Sequence, residues 1–119
     1  MKAFVVSELT GAPFTNGAAR VYRVVPGSAP QIFLDGFKTL IDLDFGPDGS
    51  LYLVEHASGP TGLGGSGRVL RVPPNSTTPI EVISGLTKPT SIVVGPDGAL
   101  YVSNRGTSVG VGEVLRIVP

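Results

Sequence analysis

Three polar residues follow one another along the sequence at nearly equal spacing, and together they could hold a cation or a small ligand. Glu8, Glu55 and Asn104 are spaced 47 and 49 residues apart, and each follows a short apolar run. Two carboxylates and an amide offer the hard oxygen ligands that Ca²⁺ prefers. The same residue types also end strands without binding a ligand, because their oxygens readily accept N–H groups from a nearby loop. The spacing therefore leaves two hypotheses, a calcium site formed by these three residues or a set of strand-end caps.

The residues that follow this set extend the candidate ligand-binding site. His56 comes directly after Glu55, and Arg105 directly after Asn104. His56 is the single histidine of the chain, and an imidazole can act as a general base near neutral pH. No nucleophile or orienting partner stands at a recognisable spacing, so a structural loop histidine is the other interpretation. We predict ligand binding at Glu8, Glu55, His56, Asn104 and Arg105, and no catalytic residue.

The predicted strands and turns that position these residues occur in three similar copies along the sequence. Residues 45–53 return as residues 94–102, and both copies contain Gly-Pro-Asp-Gly. Residues 67–72 match residues 112–117 in one direction and residues 19–24 in the other. These separate matches agree on a repeat length of between about 45 and 49 residues. They indicate a repeat protein, in which each unit packs on the next.

Each repeat is predicted to contain four short strands and no helix. Apolar or alternating runs flank each Gly-Pro-Asp-Gly segment, in which proline presets φ and glycine closes a tight hairpin turn. Four antiparallel strands at a period near fifty are typical of a propeller blade. We therefore predict an all-β fold made of β-propeller blades of four antiparallel strands, about three per chain.

The two outer blades are predicted to be incomplete parts of one partial propeller domain, residues 1–119. Residues 1–36 lack the inner strand, residues 37–85 form a complete blade, and residues 86–119 lack the outer strand. Propellers usually need roughly four to eight blades, because one blade cannot bury both of its faces. We expect either that the chain belongs to a longer one or that copies associate, most simply as a homodimer that forms a six-sheet ring.

Two further sets of charged residues are expected to have structural roles. Asp42 and Asp44 alternate on an inner strand and share one face, where buried and hydrogen-bonded carboxylates are predicted. Arg23, Arg71 and Arg116 recur at one position of the third strand. A planar cation repeated in this way is expected to pair with carboxylates or carbonyls between blades rather than with a substrate.

The composition excludes several classes of function. The net charge is zero, with nine basic and nine acidic residues and no basic cluster, which argues against a nucleic-acid partner. No apolar run approaches the ~20 residues of a membrane-spanning helix. The chain has no cysteine, so it can form neither a disulfide nor a thiolate zinc site. The first six residues are predicted to begin a strand and are too short for a signal peptide.

Several segments together resemble the ScyD/ScyE family of bacterial propeller proteins. They are residues 8–14, 19–27, 36–37, 41–52 and 112–117. The resemblance covers the whole chain in the manner of the C-terminal part of a longer family member. It implies a six-bladed NHL-like propeller and a periplasmic or extracellular location, and it implies no established reaction. The segment Gly-Pro-Asp-Gly-x-Leu-Tyr alone is shared with many NHL-like and gluconolactonase-like propellers. Regucalcin-like gluconolactonases bind a divalent metal with Glu, Asn and Asp in a similar location.

These observations favour a non-catalytic binding or scaffold module that carries a small-molecule or protein ligand on its loop face. This interpretation requires no cofactor. The alternative is a Ca²⁺-dependent lactonase that resembles the gluconolactonases and uses Glu8, Glu55 and Asn104. A third interpretation is a self-assembling propeller fragment with no activity of its own.

Overall fold

The computed structural model describes residues 3–60 and 62–119, and this part of the chain is built from ten β-strands. They are β1 (Phe4–Ser7), β2 (Ala19–Val24), β3 (Gln31–Phe37), β4 (Leu40–Phe45), β5 (Leu51–Glu55), β6 (Gly67–Val72), β7 (Ile80–Leu86), β8 (Ser91–Val94), β9 (Leu100–Asn104) and β10 (Glu113–Ile117). These described ranges contain no helix long and apolar enough to cross a lipid bilayer.

The strands form three antiparallel sheets that follow one another along the chain. The first sheet has the order β1-β2-β3, the second β4-β5-β6-β7 and the third β8-β9-β10. Neighbouring strands pair in meander fashion within each sheet. The predicted fold class is therefore confirmed, with one four-stranded sheet between two three-stranded ones. Strands β3 and β7 end at Phe37 and Leu86, one residue beyond the blade boundaries predicted from the sequence.

The two Gly-Pro-Asp-Gly segments form the tight hairpins between the first two strands of the second and third sheets. Gly49 has a φ of 88° and donates its N–H to the Gly46 carbonyl at 3.0 Å. Gly98 repeats this geometry with a φ of 81° and a 2.9 Å bond to Gly95. Only glycine adopts this positive φ without a steric penalty, so the motif directs where each strand reverses.

Two apolar cores lie between the three sheets. The first contains Ala19, Val21, Leu34, Phe37, Leu40, Leu51, Leu53, Leu70 and Val72, and the second contains Tyr52, Val54, Val69, Leu86, Ile92, Leu100 and Val102. Side chains of a strand alternate between its faces, so Leu51 and Leu53 fill the first core while Tyr52 and Val54 fill the second. The middle sheet is thus covered on both faces, and every residue of β5 is buried.

Two carboxylates join the inner strands of the second and third sheets. Asp42 accepts the N–H of Leu43 at 2.9 Å with one oxygen and the N–H of Ile92 at 2.8 Å with the other. Leu43 and Ile92 are 49 residues apart and occupy equivalent positions. Their N–H groups point away from the hairpin partner, because hydrogen bonds alternate sides along an antiparallel strand. The carboxylate therefore satisfies two strand edges at once.

Asp44 repeats the bridge one step along the strand. Its oxygens accept the N–H groups of Phe45 at 2.9 Å and Val94 at 2.8 Å. The prediction of hydrogen-bonded carboxylates on this strand is confirmed, although both side chains are half-buried rather than fully buried. These two bridges fix the stagger between neighbouring sheets.

Removing both carboxylates is expected to loosen the contact between the second and third sheets. The variant Asp42→Ala with Asp44→Ala should lose about 2 kcal/mol of unfolding free energy, because edge N–H groups lose their acceptors. Hydrogen exchange at the Ile92 and Val94 amides should become faster. Asp35→Ala, which removes an exposed carboxylate from β3, is the matched control and should leave both readouts unchanged. Unaltered exchange in the double variant would contradict the bridging role.

Candidate functional site

Glu55 lies at the end of β5 and is engaged entirely by protein donors. Its side chain is only 2% exposed. One oxygen accepts the N–H of Lys38 at 2.8 Å, and the other accepts the Nε–H of Arg68 at 2.5 Å. Burial alone would lower the pKa of Arg68, but hydrogen bonds and attraction from Glu55 and Glu81 outweigh it and raise that pKa. Glu55 therefore anchors the connection between β3 and β4 to strand β6.

Asn104 forms the equivalent anchor in the third sheet, but with an amide where the second sheet has a carboxylate. Its Oδ1 accepts the N–H of Thr87 at 2.9 Å, and its Nδ2 donates to Glu113 at 3.0 Å. The second sheet thus pairs a carboxylate with a cation at this point, whereas the third pairs an amide with a carboxylate. At both positions a side-chain oxygen accepts a loop N–H group, as the capping hypothesis predicts.

Glu8 occupies the same position in the first sheet but in a different environment. It is half-buried at the end of β1, and its backbone N–H bonds to the Arg20 carbonyl at 3.0 Å. The pKa of Arg20 is raised chiefly by the Tyr22 side chain, with smaller contributions from Glu8 and Asp35. Among the described residues no loop N–H donates to the Glu8 carboxylate, unlike the side-chain oxygens of Glu55 and Asn104.

His56 and Arg105 are separated by the fold into two different environments. His56 is buried, and its Nδ1 lies 2.8 Å from the Pro89 carbonyl. A carbonyl accepts only, so Nδ1 carries the proton and the imidazole links the second sheet to the loop before β8. Arg105 is exposed, with a φ of 57° and its Nε 3.5 Å from Glu113. The hydrogen bond between His56 and the Pro89 carbonyl favours a structural role for His56 over that of a general base.

The arrangement of Glu55 does not suit a calcium ion. Both of its oxygens are occupied, so a cation could bind only if Arg68 moved away. Within residues 3–60 and 62–119, no group of three or more His, Cys, Asp or Glu side chains is arranged to hold a metal ion. At Glu55 the described contacts are those of a structural anchor, with one carboxylate oxygen bound by Lys38 and the other by Arg68.

The loops that follow β1 and β5 meet at a shallow cleft of about 340 Å³. Its lining residues are Pro13, Phe14, Thr15, Asn16, Pro60 and Gly62. Lys38, whose side chain is 2% exposed, supports the second loop by donating its ammonium to the Gly59 carbonyl. The buried hydroxyl of Thr10 has no hydrogen-bond partner in the described part of the chain. This cleft is the recess on the predicted loop face that could receive a small ligand.

Sequence reasoning did not identify Lys38 as part of this face. It follows Phe37 at the end of a strand, where a lysine would ordinarily extend into solvent. In the folded protein its ammonium donates instead to the Gly59 carbonyl, in the loop between β5 and β6. The repeat offers no signal either, because Thr87 stands at the equivalent position.

Two of the three recurring arginines, Arg71 and Arg116, pair with a carboxylate within their own sheet and not between blades, which corrects the expectation from the sequence. Arg71 lies 3.3 Å from Asp48, and Arg116 lies 3.0 Å from Asp97. Both carboxylates belong to the Gly-Pro-Asp-Gly turn of the same sheet. The third strand of the blade is close enough to this turn, across the intervening second strand, for a long guanidinium side chain to reach it.

Hydrogen bonds within the turns lower the pKa of both carboxyl groups. For Asp48 the main cause is the N–H and hydroxyl of Ser50, and for Asp97 it is the Tyr101 hydroxyl. A depressed carboxyl pKa stabilises the fold above the ordinary Asp value, and this contribution disappears as the pH falls through the depressed value. The turns therefore keep their charge at any pH near neutrality.

Comparisons with known proteins support the fold and leave the function open. No protein-family model and no curated protein matches the chain. The X-ray structure of a candidate gluconolactonase is similar to it, with a TM-score of 0.59 and 25% identity. The match covers 86% of this chain and 43% of that protein, so the chain spans less than half of the other protein's length. This likeness and the stacked antiparallel sheets place the chain in the β-propeller class.

Proposed function

We propose that the chain is a non-catalytic β-propeller module that completes a ring through its two outer sheets and binds a ligand on its loop face. The observation that carries this proposal is the burial contrast between equivalent residues. Phe4 is 54% exposed in the first sheet, whereas its equivalent Leu51 is 2% exposed in the second. Val114 is 69% exposed in the third sheet, whereas Val69 is fully buried.

The exposed residues lie on two faces at opposite ends of the stack, and each face contains large apolar side chains. We call the outer surface of the first sheet the leading face and that of the third sheet the trailing face. Residues directly opposite in register share a face. The leading face contains Phe4, Val6, Tyr22 and Val24, and the trailing face contains Val93, Tyr101, Ser103, Val114 and Arg116. In the middle sheet each of these two faces packs against a neighbouring sheet.

Placing the leading face of one copy on the trailing face of another repeats the packing seen inside the chain. Two copies close such contacts into a ring of six sheets, in which a two-fold axis relates the two identical leading-to-trailing contacts. The chain covers 43% of the similar gluconolactonase-like structure, which fits a partial ring. If the chain belongs to a longer polypeptide, the same faces would pack against further sheets of that polypeptide. The ScyD/ScyE resemblance favours this alternative, and it also implies an exported location.

The molecular mass in solution tests ring completion. Light scattering should give about twice the 12.2 kDa of one chain. Val6→Lys on the leading face and Val114→Lys on the trailing face should each shift the mass to that of one chain, because each places a charge in an apolar contact. Val109→Lys is the control, since Val109 is fully exposed in the loop after β9. A compact wild-type chain of monomer mass would contradict the ring.

A Ca²⁺-dependent lactonase is the second candidate, favoured by the likeness to a candidate gluconolactonase. It would use Glu8, Glu55 and Asn104 as ligands for the metal. Our proposal predicts that adding Ca²⁺ leaves the Tm of the protein unchanged, because Glu55 is already engaged by Lys38 and Arg68. Thermal unfolding with and without Ca²⁺, together with a lactone hydrolysis assay, distinguishes the two. A Ca²⁺-dependent rise in Tm accompanied by turnover would favour the lactonase.

A further inference from the structure

Strand β1 has an unpaired edge that faces the position of an inner strand. Among the described residues β1 pairs only with β2, whereas the equivalent strands β5 and β9 each pair on both sides. Glu8 donates its N–H to Arg20 on β2. Antiparallel bonding alternates along the strand, so the N–H and carbonyl groups of Val5 and Ser7 point to the open edge. Such a row of groups is a template for an added strand.

Arg23 marks a second incomplete feature on the same sheet. The equivalent Arg71 and Arg116 each bind a carboxylate in the turn that follows the inner strand of their own sheet. Arg23 is exposed on β2, and it forms no salt bridge with a carboxylate of the described residues. The first sheet thus has the arginine of this recurring pair. Among the described residues, neither the first sheet nor the adjacent second sheet provides it with an inner strand or an acidic turn.

We propose that the β1 edge binds an extended polypeptide segment that ends in an acidic tight turn. The segment adds antiparallel to β1 through main-chain hydrogen bonds, the mode known as β-augmentation. Its turn carboxylate pairs with Arg23, as Asp48 pairs with Arg71. One set of its alternating side chains is apolar and packs beside Val5 and Leu43, which are half-buried at the margin of the first core. The occupant is therefore an alternating apolar strand followed by a turn that contains Asp or Glu.

The chain itself provides the probe for this site. A synthetic peptide of residues 40–50 contains the inner strand and acidic turn of the second sheet. Added to the isotope-labelled full chain, it should bind saturably and shift the amide signals of Val5 and Ser7. Changing Asp48 of the peptide to Asn should weaken binding about threefold, the effect of one exposed ion pair. With Arg23→Gln in the chain, the two peptides should bind equally.

Variants of the edge separate this site from other strand edges. Ser7→Pro removes an outward N–H without breaking the β1–β2 ladder, and it should reduce peptide binding at least about tenfold. Arg71→Gln is the matched control, because that arginine is already paired with Asp48 and lies on neither outer face, and it should not alter binding. Equal binding of a scrambled peptide, shifts confined to β3, β7 or β10, or no effect of either Arg23→Gln or Ser7→Pro would overturn the proposal.

The outcome is independent of ring completion. A dimer mass without peptide binding would refute the strand site and leave the ring intact. Peptide binding to a protein of monomer mass would refute the ring and leave the strand site intact. The Arg23→Gln comparison keeps the test valid even if Ser7→Pro fails to fold.

Discussion

Replacing Gly67 by alanine is expected to destabilise the protein by about 3 kcal/mol, which corresponds to a fall of about 10 °C in Tm. Gly67 begins β6 and is buried between the second and third sheets. A Cβ atom at this position would overlap the ring of Pro89 and lie 2.7 Å from the Glu55 carbonyl oxygen. Both obstacles are rigid, since one is a buried proline and the other is backbone. The sheets would have to separate locally to admit the methyl group.

Gly112 is the matched control for this prediction. It stands at the equivalent position of the third sheet, 45 residues later. The nearest atom to a Cβ built there is the Arg105 carbonyl oxygen at 4.0 Å. Gly112→Ala should therefore change the Tm by only a degree or two, an effect of a few tenths of a kcal/mol. Equal losses in the two variants, measured by thermal unfolding, would show that the contact with Pro89 is not the cause.

Replacing Glu55 by alanine is expected to cost about 3 kcal/mol of unfolding free energy. The change leaves the Lys38 N–H without an acceptor and the Arg68 guanidinium without its buried partner. Urea unfolding should show a lower midpoint at an unchanged slope. Glu113→Ala removes the carboxylate that pairs with Asn104 in the anchor of the third sheet, and this carboxylate is 41% exposed. Because an exposed pair contributes little, that control should lose less than about 1 kcal/mol.

A charge-exchanged variant tests whether the two anchors are interchangeable. Glu55→Asn with Arg68→Glu places the amide and carboxylate of the third sheet into the second. The asparagine can still accept the Lys38 N–H and donate to the new glutamate. The double variant should thus be more stable than either Glu55→Asn or Arg68→Glu alone. If the losses of the two single variants simply add, the side chains are not coupled.

The architecture was predictable because its signals are local and repeated. The Gly-Pro-Asp-Gly turns specify where hairpins form, and their recurrence gives the length of the blade. The missing strands of the outer blades followed from comparing the copies. The bridging role of Asp42 and Asp44 was partly visible, since alternation places both on one face. Their acceptance of N–H groups from a strand about 50 residues away was not.

The candidate site was harder to predict, because its contacts join segments that are distant along the chain. The sequence aligns Glu55 with Asn104 but does not show that Arg68 occupies a carboxylate oxygen of the first. It offers His56 as a general base or a loop histidine, and only the fold shows that the imidazole is buried beside the Pro89 carbonyl. It also suggested arginine pairs between blades. Only the folded hairpins show that each guanidinium reaches the turn of its own sheet.

The sequence by itself determined that this protein is a set of propeller blades, and it identified Glu8, Glu55 and Asn104 as equivalent strand ends. The tertiary structure decided what these residues do. A turn or an alternating strand depends on residues a few positions away in the sequence. Because these local patterns recur in each blade, they can be recognised from the sequence. Whether a carboxylate is an open ligand or a closed anchor depends on donors that only the packing of sheets brings near. At Glu55 those donors are the Lys38 N–H and the Arg68 guanidinium, and they make it an anchor.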